Sequence, residues 1–144
     1  MDQFGPSLTI KLEQTTHTGT DNVSVQTMLP FDTTVTRWAL ANWVSDLPGF
    51  APPAELRYTS WSFRPLFASL SAQDRFDFPA PFPLVPLAAP GAQLNVSGML
   101  DAGSGAYVRA LQGPHGAGFS LLFAGTGGPI SQAIAPELVI IRIR

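Results

Sequence analysis

A proline-rich segment with regularly spaced phenylalanines places the strongest constraint on this fold. Apolar residues occupy every second position from 76 to 84, prolines fill three of the four positions between them, and two more prolines follow by position 90. The apolar residues are Phe76, Phe78, Ala80, Phe82 and Leu84, and the prolines are Pro79, Pro81, Pro83, Pro86 and Pro90. Alternation indicates an extended segment with one apolar face. Because proline donates no backbone hydrogen bond, the segment cannot be a central strand, and we expect an edge strand or a polyproline-like arm.

An extended arm over 76–90 has two ways to bury its phenylalanines. It can fold back on its own domain, or it can lie on a neighbouring subunit, where preformed proline geometry lowers the cost of ordering. We predict the second arrangement, because the chain also carries few charges. The predicted subunit-interface residues are Phe76, Phe78, Phe82, Leu84, Val85 and Leu87.

The sparse charge of the chain favours assembly and argues against nucleic acid. Charged residues make up 12% of the 144 positions, about half the usual quarter, and the net charge is −2. Weakly charged surfaces resist self-association poorly. There is one lysine, Lys11, and no basic run. Nucleic-acid affinity comes mainly from neutralising phosphates, so we expect no nucleic-acid partner.

Several other classes are excluded by what the sequence lacks. There is no cysteine, which excludes disulfides, cysteine-based zinc sites and thiol catalysis. No apolar stretch approaches the roughly 20 residues that span a bilayer. The segment Met1 to Pro6 has neither a basic nor an apolar region of the kind that directs export. We therefore expect a location in a virion, or in the cytoplasm before assembly.

Short alternating or β-branched segments predict a mainly β fold. Turn signals separate them at intervals of about 8–12 residues, which is typical of a sandwich or barrel. The predicted strands are 8–13, 23–29, 55–67, 93–100, 107–112, 119–124 and 138–144. We expect a single antiparallel β-rich domain over residues 1–144, jelly-roll-like or Ig-like, with the first two strands forming a hairpin.

One helix is predicted near 33–47. Leu40, Trp43, Val44 and Leu47 have the i, i+3, i+4, i+7 spacing of an amphipathic helix. Asp32 or Thr33 can cap its start, and Pro48-Gly49 can end it. An extended 33–38 is the competing interpretation, because Val35, Thr36 and Trp38 favour strands.

No residue pattern predicts catalysis, a cofactor or a metal. We expect His17 and His115 to be solvated loop residues rather than ligands. Ser104 lies between two glycines, but the pattern departs from Gly-x-Ser-x-Gly and is followed by a predicted strand, so a hairpin turn is preferred. The glycine-rich segments 113–118 and 125–128 lack a P-loop lysine and are also interpreted as turns.

Exposed aromatic residues would offer an alternative function. Trp38, Trp43, Trp61, Tyr58 and Tyr107 could form a platform for stacking on sugars, although large aromatics more commonly fill a core. The leading hypothesis is a non-enzymatic structural subunit of a homo-oligomeric assembly, namely a phage-like capsid or capsid-decoration protein. Its partners would be its own subunits or a neighbouring coat protein, with no small-molecule ligand. The alternative is a β-sandwich binding module for a carbohydrate or a protein.

Overall fold

Helices, not strands, dominate the structure of this chain. The computed structural model describes residues 2–89, 97, 103–112, 118, 120–125 and 127–143. Within them the helices are α1 (Ser7–Glu13), α2 (Gly19–Thr27), α3 (Phe31–Val44) and α4 (Phe63–Gln73), with 3₁₀ turns at Ala54–Leu56 and Gln132–Ile134. The strands are β1 (Leu87–Ala89) and β2 (Val108–Ala110). The predicted β-sandwich or barrel is therefore wrong.

The chain divides into two units, which are described separately. The first unit contains Met1–Pro83 and Arg142–Arg144, and the second contains Leu84–Ile141. All four α-helices belong to the first unit and both strands belong to the second. The boundary falls inside the predicted arm.

The first predicted strand is helix α1. Leu8 is buried at 8% exposure, Leu12 is half-buried and Ile10 is 55% exposed. Leu8 and Leu12 share a face in a strand, but they also share a face in a helix because they are four residues apart. The short pattern is thus compatible with both periods, and Leu, Lys and Glu are good helix formers.

The second predicted strand lies mostly in helix α2. The Thr27 hydroxyl donates to the Val23 carbonyl at 2.7 Å, and the Ser24 hydroxyl donates to the Thr20 carbonyl at 3.0 Å. These bonds to the preceding turn let hydroxyl residues remain in a helix. Met28 ends the helix in a left-handed conformation, with φ of 56°. The Asn22 amide donates to the Leu12 carbonyl at 2.9 Å and so links α2 to the end of α1.

The predicted helix near 33–47 is present as α3, and the extended alternative for 33–38 is wrong. The Thr33 amide donates to the Asp32 carboxylate at 2.6 Å in the first turn. Ala41 and Val44, on the inner face, are 6% and 0% exposed. Together with Leu8 they form the buried apolar core of the first unit.

The third predicted strand, 55–67, consists of a 3₁₀ turn, a connection and the start of α4. Phe63 and Phe67 are four residues apart and meet along the helix, with ring centroids 6.5 Å apart. Pro65 lies in the first turn, where the missing amide donor costs little.

The second unit contains a small parallel sheet. β1 pairs with β2 in the register Leu87 with Val108 and Ala89 with Ala110, and the Leu87 amide donates to the Tyr107 carbonyl at 2.9 Å. β2 lies within the predicted strand 107–112. Among the described residues, 120–124 and 138–143 form no strand, so those two predictions are wrong. The predicted strand 93–100 lies outside the described residues except for Ser97.

We predict that shortening Val44 destabilises the helical unit while shortening Val25 does not. Val44→Ala removes two methyl groups from a fully buried site and should lower the free energy of unfolding by about 1–3 kcal/mol. Val25, in α2, is 44% exposed, so Val25→Ala should change it by less than about 0.5 kcal/mol. Both changes replace valine by alanine within a helix, so helix propensity is matched. Urea unfolding followed by circular dichroism measures the difference, and equal effects would contradict this account of the core.

Candidate functional site

A chain of aromatic rings runs across the first unit. The Tyr58 and Phe63 rings meet edge to face with centroids 4.9 Å apart, and the Trp61 ring is stacked on Phe63 at 6.4 Å and 14°. Phe67 continues the chain from Phe63. We call this the aromatic cluster, and its members are Trp43, Tyr58, Trp61, Phe63, Phe67, Phe78 and Phe82.

The arm supplies two rings of the aromatic cluster. Phe67 lies 6.5 Å from Phe78 and 6.1 Å from Phe82, the latter in a T-shaped contact. The Phe82 ring also lies 5.9 Å from the Trp43 ring of α3. Edge-to-face aromatic pairs at these distances are favourable beyond their buried area. Phe78 and Phe82 therefore contact their own chain.

Arg64 packs against two rings of the aromatic cluster. Its backbone amide donates to the Asp46 carboxylate at 2.6 Å, its guanidinium forms an ion pair with the same carboxylate, and Nη2 donates to the Trp43 carbonyl at 2.6 Å. The guanidinium carbon lies 4.9 Å from the Trp43 ring centroid and 4.4 Å from that of Phe82. Both charged side chains are about one-fifth exposed. A partly desolvated cation with these contacts joins α3, α4 and the arm.

Phe76, the first phenylalanine of the arm, is exposed to solvent. Its side chain is 93% exposed. The Asp74 carboxylate accepts the amides of Phe76 and Asp77, at 2.9 and 3.2 Å, and the Phe78 amide donates to the Asp74 carbonyl at 3.0 Å. This turn follows α4, and within it Phe76 is exposed, whereas the next phenylalanine, Phe78, contacts Phe67.

The other predicted interface residues begin the second unit. Leu84 is half-buried, whereas Val85 and Leu87 are 72% and 49% exposed. The structure thus separates the six predicted interface residues into two that contact the aromatic cluster and three that are exposed, with Leu84 between. Their role between subunits remains a prediction.

Exposed apolar side chains continue throughout the second unit. None of the residues from 84 to 141 whose burial the structure describes is buried. The exposed large apolar residues are Val85, Leu87, Val108, Leu111, Leu121, Leu122, Phe123, Ile134, Leu138, Val139 and Ile140. Tyr107 is half-buried, and this burial raises the pKa of its hydroxyl.

A small cleft lies beside α3 in the first unit. It has a volume of about 190 Å³ and is lined by residues that include Arg37, Trp38, Arg57 and Tyr58. The Arg57 guanidinium donates to the Pro52 carbonyl at 2.8 Å, and the Tyr58 hydroxyl donates to Asn42 Oδ1 at 2.8 Å. These contacts fix two walls of the cleft, which is smaller than the roughly 300–1,000 Å³ of typical ligand pockets.

Asp2 lies at the rim of that cleft and stabilises a loop. Its carboxylate accepts the Ser60 hydroxyl at 2.6 Å and the Ser60 and Thr59 amides at 2.9 and 2.7 Å. The Ser60 hydroxyl and amide, followed by the Thr59 amide, hold the pKa of this exposed carboxyl below its usual value.

His17 has a partner that the sequence analysis missed. Its Nδ1 lies 2.6 Å from Asp21 Oδ2, and both side chains are exposed. The spacing of four residues between His17 and Asp21 is the sequence feature from which this contact could have been predicted. His115 lies outside the described residues. Among the residues that the structure describes, no group of three or more potential metal-ligating side chains comes together.

The glycine-rich segments are described only in part. Gly103, beside Ser104, has a φ of 79° that favours glycine, as a turn there requires. Gly125 and Gly128 form an isolated antiparallel bridge. Residues 113–117 lie outside the described residues. No described helix is both long and apolar enough to cross a bilayer.

Comparison of the chain with known protein families, with curated proteins and with solved structures gave no significant match. Its function must therefore be argued from its own residues.

We predict that Arg64→Lys destabilises the first unit even though it keeps the charge. Lysine cannot contact Asp46 and the Trp43 carbonyl with a planar fork while lying over two rings. The free energy of unfolding should fall by about 1–3 kcal/mol in urea titrations. Arg37→Lys in α3 is the control, because Arg37 has no ion pair within the described residues, and it should change stability by less than about 0.5 kcal/mol. An Arg64→Lys protein as stable as the wild type would show that the Arg64 contacts contribute nothing.

Proposed function

We propose that this chain is a non-enzymatic structural subunit of a homo-oligomeric assembly. The observation that carries the proposal is the second unit, whose described residues expose eleven large apolar side chains and bury none. Monomeric proteins rarely expose contiguous apolar patches of more than a few hundred Å². Covering the eleven side chains with a neighbouring copy would lower the free energy by removing their apolar surface from water.

The energetics of the second unit support this proposal. Ordering the backbone costs about 1–2 kcal/mol per residue, and burying a large apolar side chain returns about 1.5–3 kcal/mol. The described residues of this unit, none of which is buried, do not offset their own ordering cost. Contact with another subunit supplies the missing burial, as in obligate oligomers, whose interfaces resemble a divided core.

The two-stranded sheet adds a second route to assembly. β1 and β2 pair only with each other among the described residues, so each leaves one edge without a strand partner. Two strands are marginal alone in water, and free edges accept strands from other chains. A strand from a neighbouring copy would extend this sheet.

The particular assembly that we propose is a virion coat or coat-decorating layer. Support comes from the sequence: few charges, no cysteine and a proline-rich arm suited to lying on a neighbour. Partners would be further copies or a neighbouring coat protein, without nucleic acid.

We expect the purified chain to be larger than its 15.4 kDa monomer in light scattering, with a mass that rises from low to high micromolar concentration. Replacing Leu111, Leu122 and Ile140 by serine should shift the association to at least roughly tenfold higher concentration, because these side chains are 75%, 91% and 67% exposed and would be covered on assembly. The matched control replaces Ile10 and Val25 of the first unit by serine. A monomer at every concentration, with no binding to a preformed coat lattice, would refute the proposal.

A second candidate function is recognition of a carbohydrate by Trp61. The Trp61 ring is 58% exposed and is supported from behind by the nearly parallel Phe63 ring. A rigid exposed indole is suited to stacking on the apolar face of a sugar.

This second function predicts glycan binding that depends on one ring. Trp61→Ala should weaken binding to the glycans that the wild-type chain selects on an array by about tenfold, whereas Trp61→Phe should retain most of it. Trp38→Ala is the control, since Trp38 is 57% exposed but lies outside the aromatic cluster. Absence of wild-type binding across the array would remove this candidate.

A further inference from the structure

The exposed Phe76 ring is a fixed projection of the first unit. The Asp74 carboxylate accepts hydrogen bonds from the Phe76 and Asp77 amides, and the Phe78 amide donates to the Asp74 carbonyl. The backbone that carries this 93% exposed ring is thus ordered before any partner arrives. Preorganised side chains lose little entropy on binding, which favours their use as anchors.

An open groove lies next to this projection. It has a volume of about 500 Å³, which is room enough for an aromatic ring. Its lining comprises three small residues of α4, one residue of the turn that follows α4 and one proline of the arm: Ala68, Ser71, Ala72, Arg75 and Pro81. The groove is open because the side chains of Ala68, Ser71 and Ala72 are small, and Arg75 gives it a positive charge.

The charges beside the projection and the groove are complementary. Asp77 directly follows Phe76, and Arg75, which lines the groove, directly precedes it. Neither charged side chain has an ion-pair partner within the described residues. A Phe76 ring that entered the groove of a second copy would bring its own Asp77 towards the partner's Arg75.

We propose that two copies of this chain pair about a two-fold axis, each placing Phe76 in the other's groove. In a two-fold pair both copies use the same surface, so the inserted ring and the receiving groove belong to one region of the chain. Arg75, which lines the groove, directly precedes Phe76. Each contact is then formed twice. The ring does not occupy the groove of its own chain, because it is almost fully exposed. This inference rests on the proposed homo-oligomeric function and identifies one of its contacts.

Removing the ring tests the contact directly. Phe76→Ala should weaken dimerisation by roughly 30-fold in sedimentation equilibrium, as truncation of a central aromatic anchor does. Met28→Ala is the matched control: Met28 is 88% exposed in the same unit but lies at the end of α2. Ala72→Trp should also prevent pairing by filling the groove while Phe76 is intact. Unchanged circular dichroism would establish that these variants fold.

Charge exchange tests the orientation of the pair. Arg75→Asp alone and Asp77→Arg alone should each dimerise less than the wild type, because like charges then face each other in both contacts. Mixing the two variants should restore dimers, since both contacts in the mixed pair again join opposite charges. Native mass spectrometry distinguishes the mixed pair from either homodimer. Failure of the mixture to pair, with the wild type dimeric, would overturn the proposed orientation.

The outcomes separate this inference from the proposed function. A wild-type chain that assembles while Phe76→Ala, Ala72→Trp and the control assemble equally would overturn the Phe76 contact and leave the homo-oligomeric function intact. A wild-type chain that stays monomeric would overturn the Phe76 contact, and if it also bound no preformed coat lattice it would overturn the proposed function.

Discussion

The arrangement of the first unit depends on the contacts of Arg64. This residue lies in the first turn of α4, and its guanidinium donates hydrogen bonds to the Trp43 carbonyl at the end of α3 and to the Asp46 carboxylate just beyond it. Cations are favoured near the C-terminus of a helix, so the site suits its charge. The same guanidinium lies over the Trp43 and Phe82 rings. One side chain thus connects two helices and the arm around a core that contains few fully buried residues.

The phenylalanines of the arm fall into two groups, one that packs on the first unit and one that is exposed. Phe78 and Phe82 complete the aromatic cluster, while the Asp74 turn directs Phe76 to solvent. The two possibilities for such an arm, packing on its own domain and contacting a neighbour, are therefore not exclusive. The rings that pack internally hold the turn in place, and this gives the outward ring the rigidity that an intersubunit anchor needs.

The proposed assembly would use two different surfaces of one chain. The first unit has its own core and offers a ring and a groove, whereas the described residues of the second unit have no core and offer apolar side chains and strand edges. The contact between ring and groove is local and two-fold. The contact through apolar side chains and strand edges completes the folding of the second unit, so assembly and stability would be coupled there.

The sequence by itself determined the helix α3, whereas the extended form of the proline-rich segment after position 76 stays a prediction. The i, i+3, i+4, i+7 spacing matches the period of a helix and not that of a strand, and proline restricts the backbone wherever it occurs. The sequence did not determine α1, because Leu8 and Leu12 fit the period of a strand as well as that of a helix. It did not determine α2 either, because the hydroxyl side chains there are held in the helix by hydrogen bonds to the preceding turn. Only the tertiary structure decided that Phe78 and Phe82 face inward and Phe76 outward. That decision comes from Arg64, which holds the Phe82 ring, and from the Asp74 turn, which interrupts the alternation, and neither contact is visible in residue spacing.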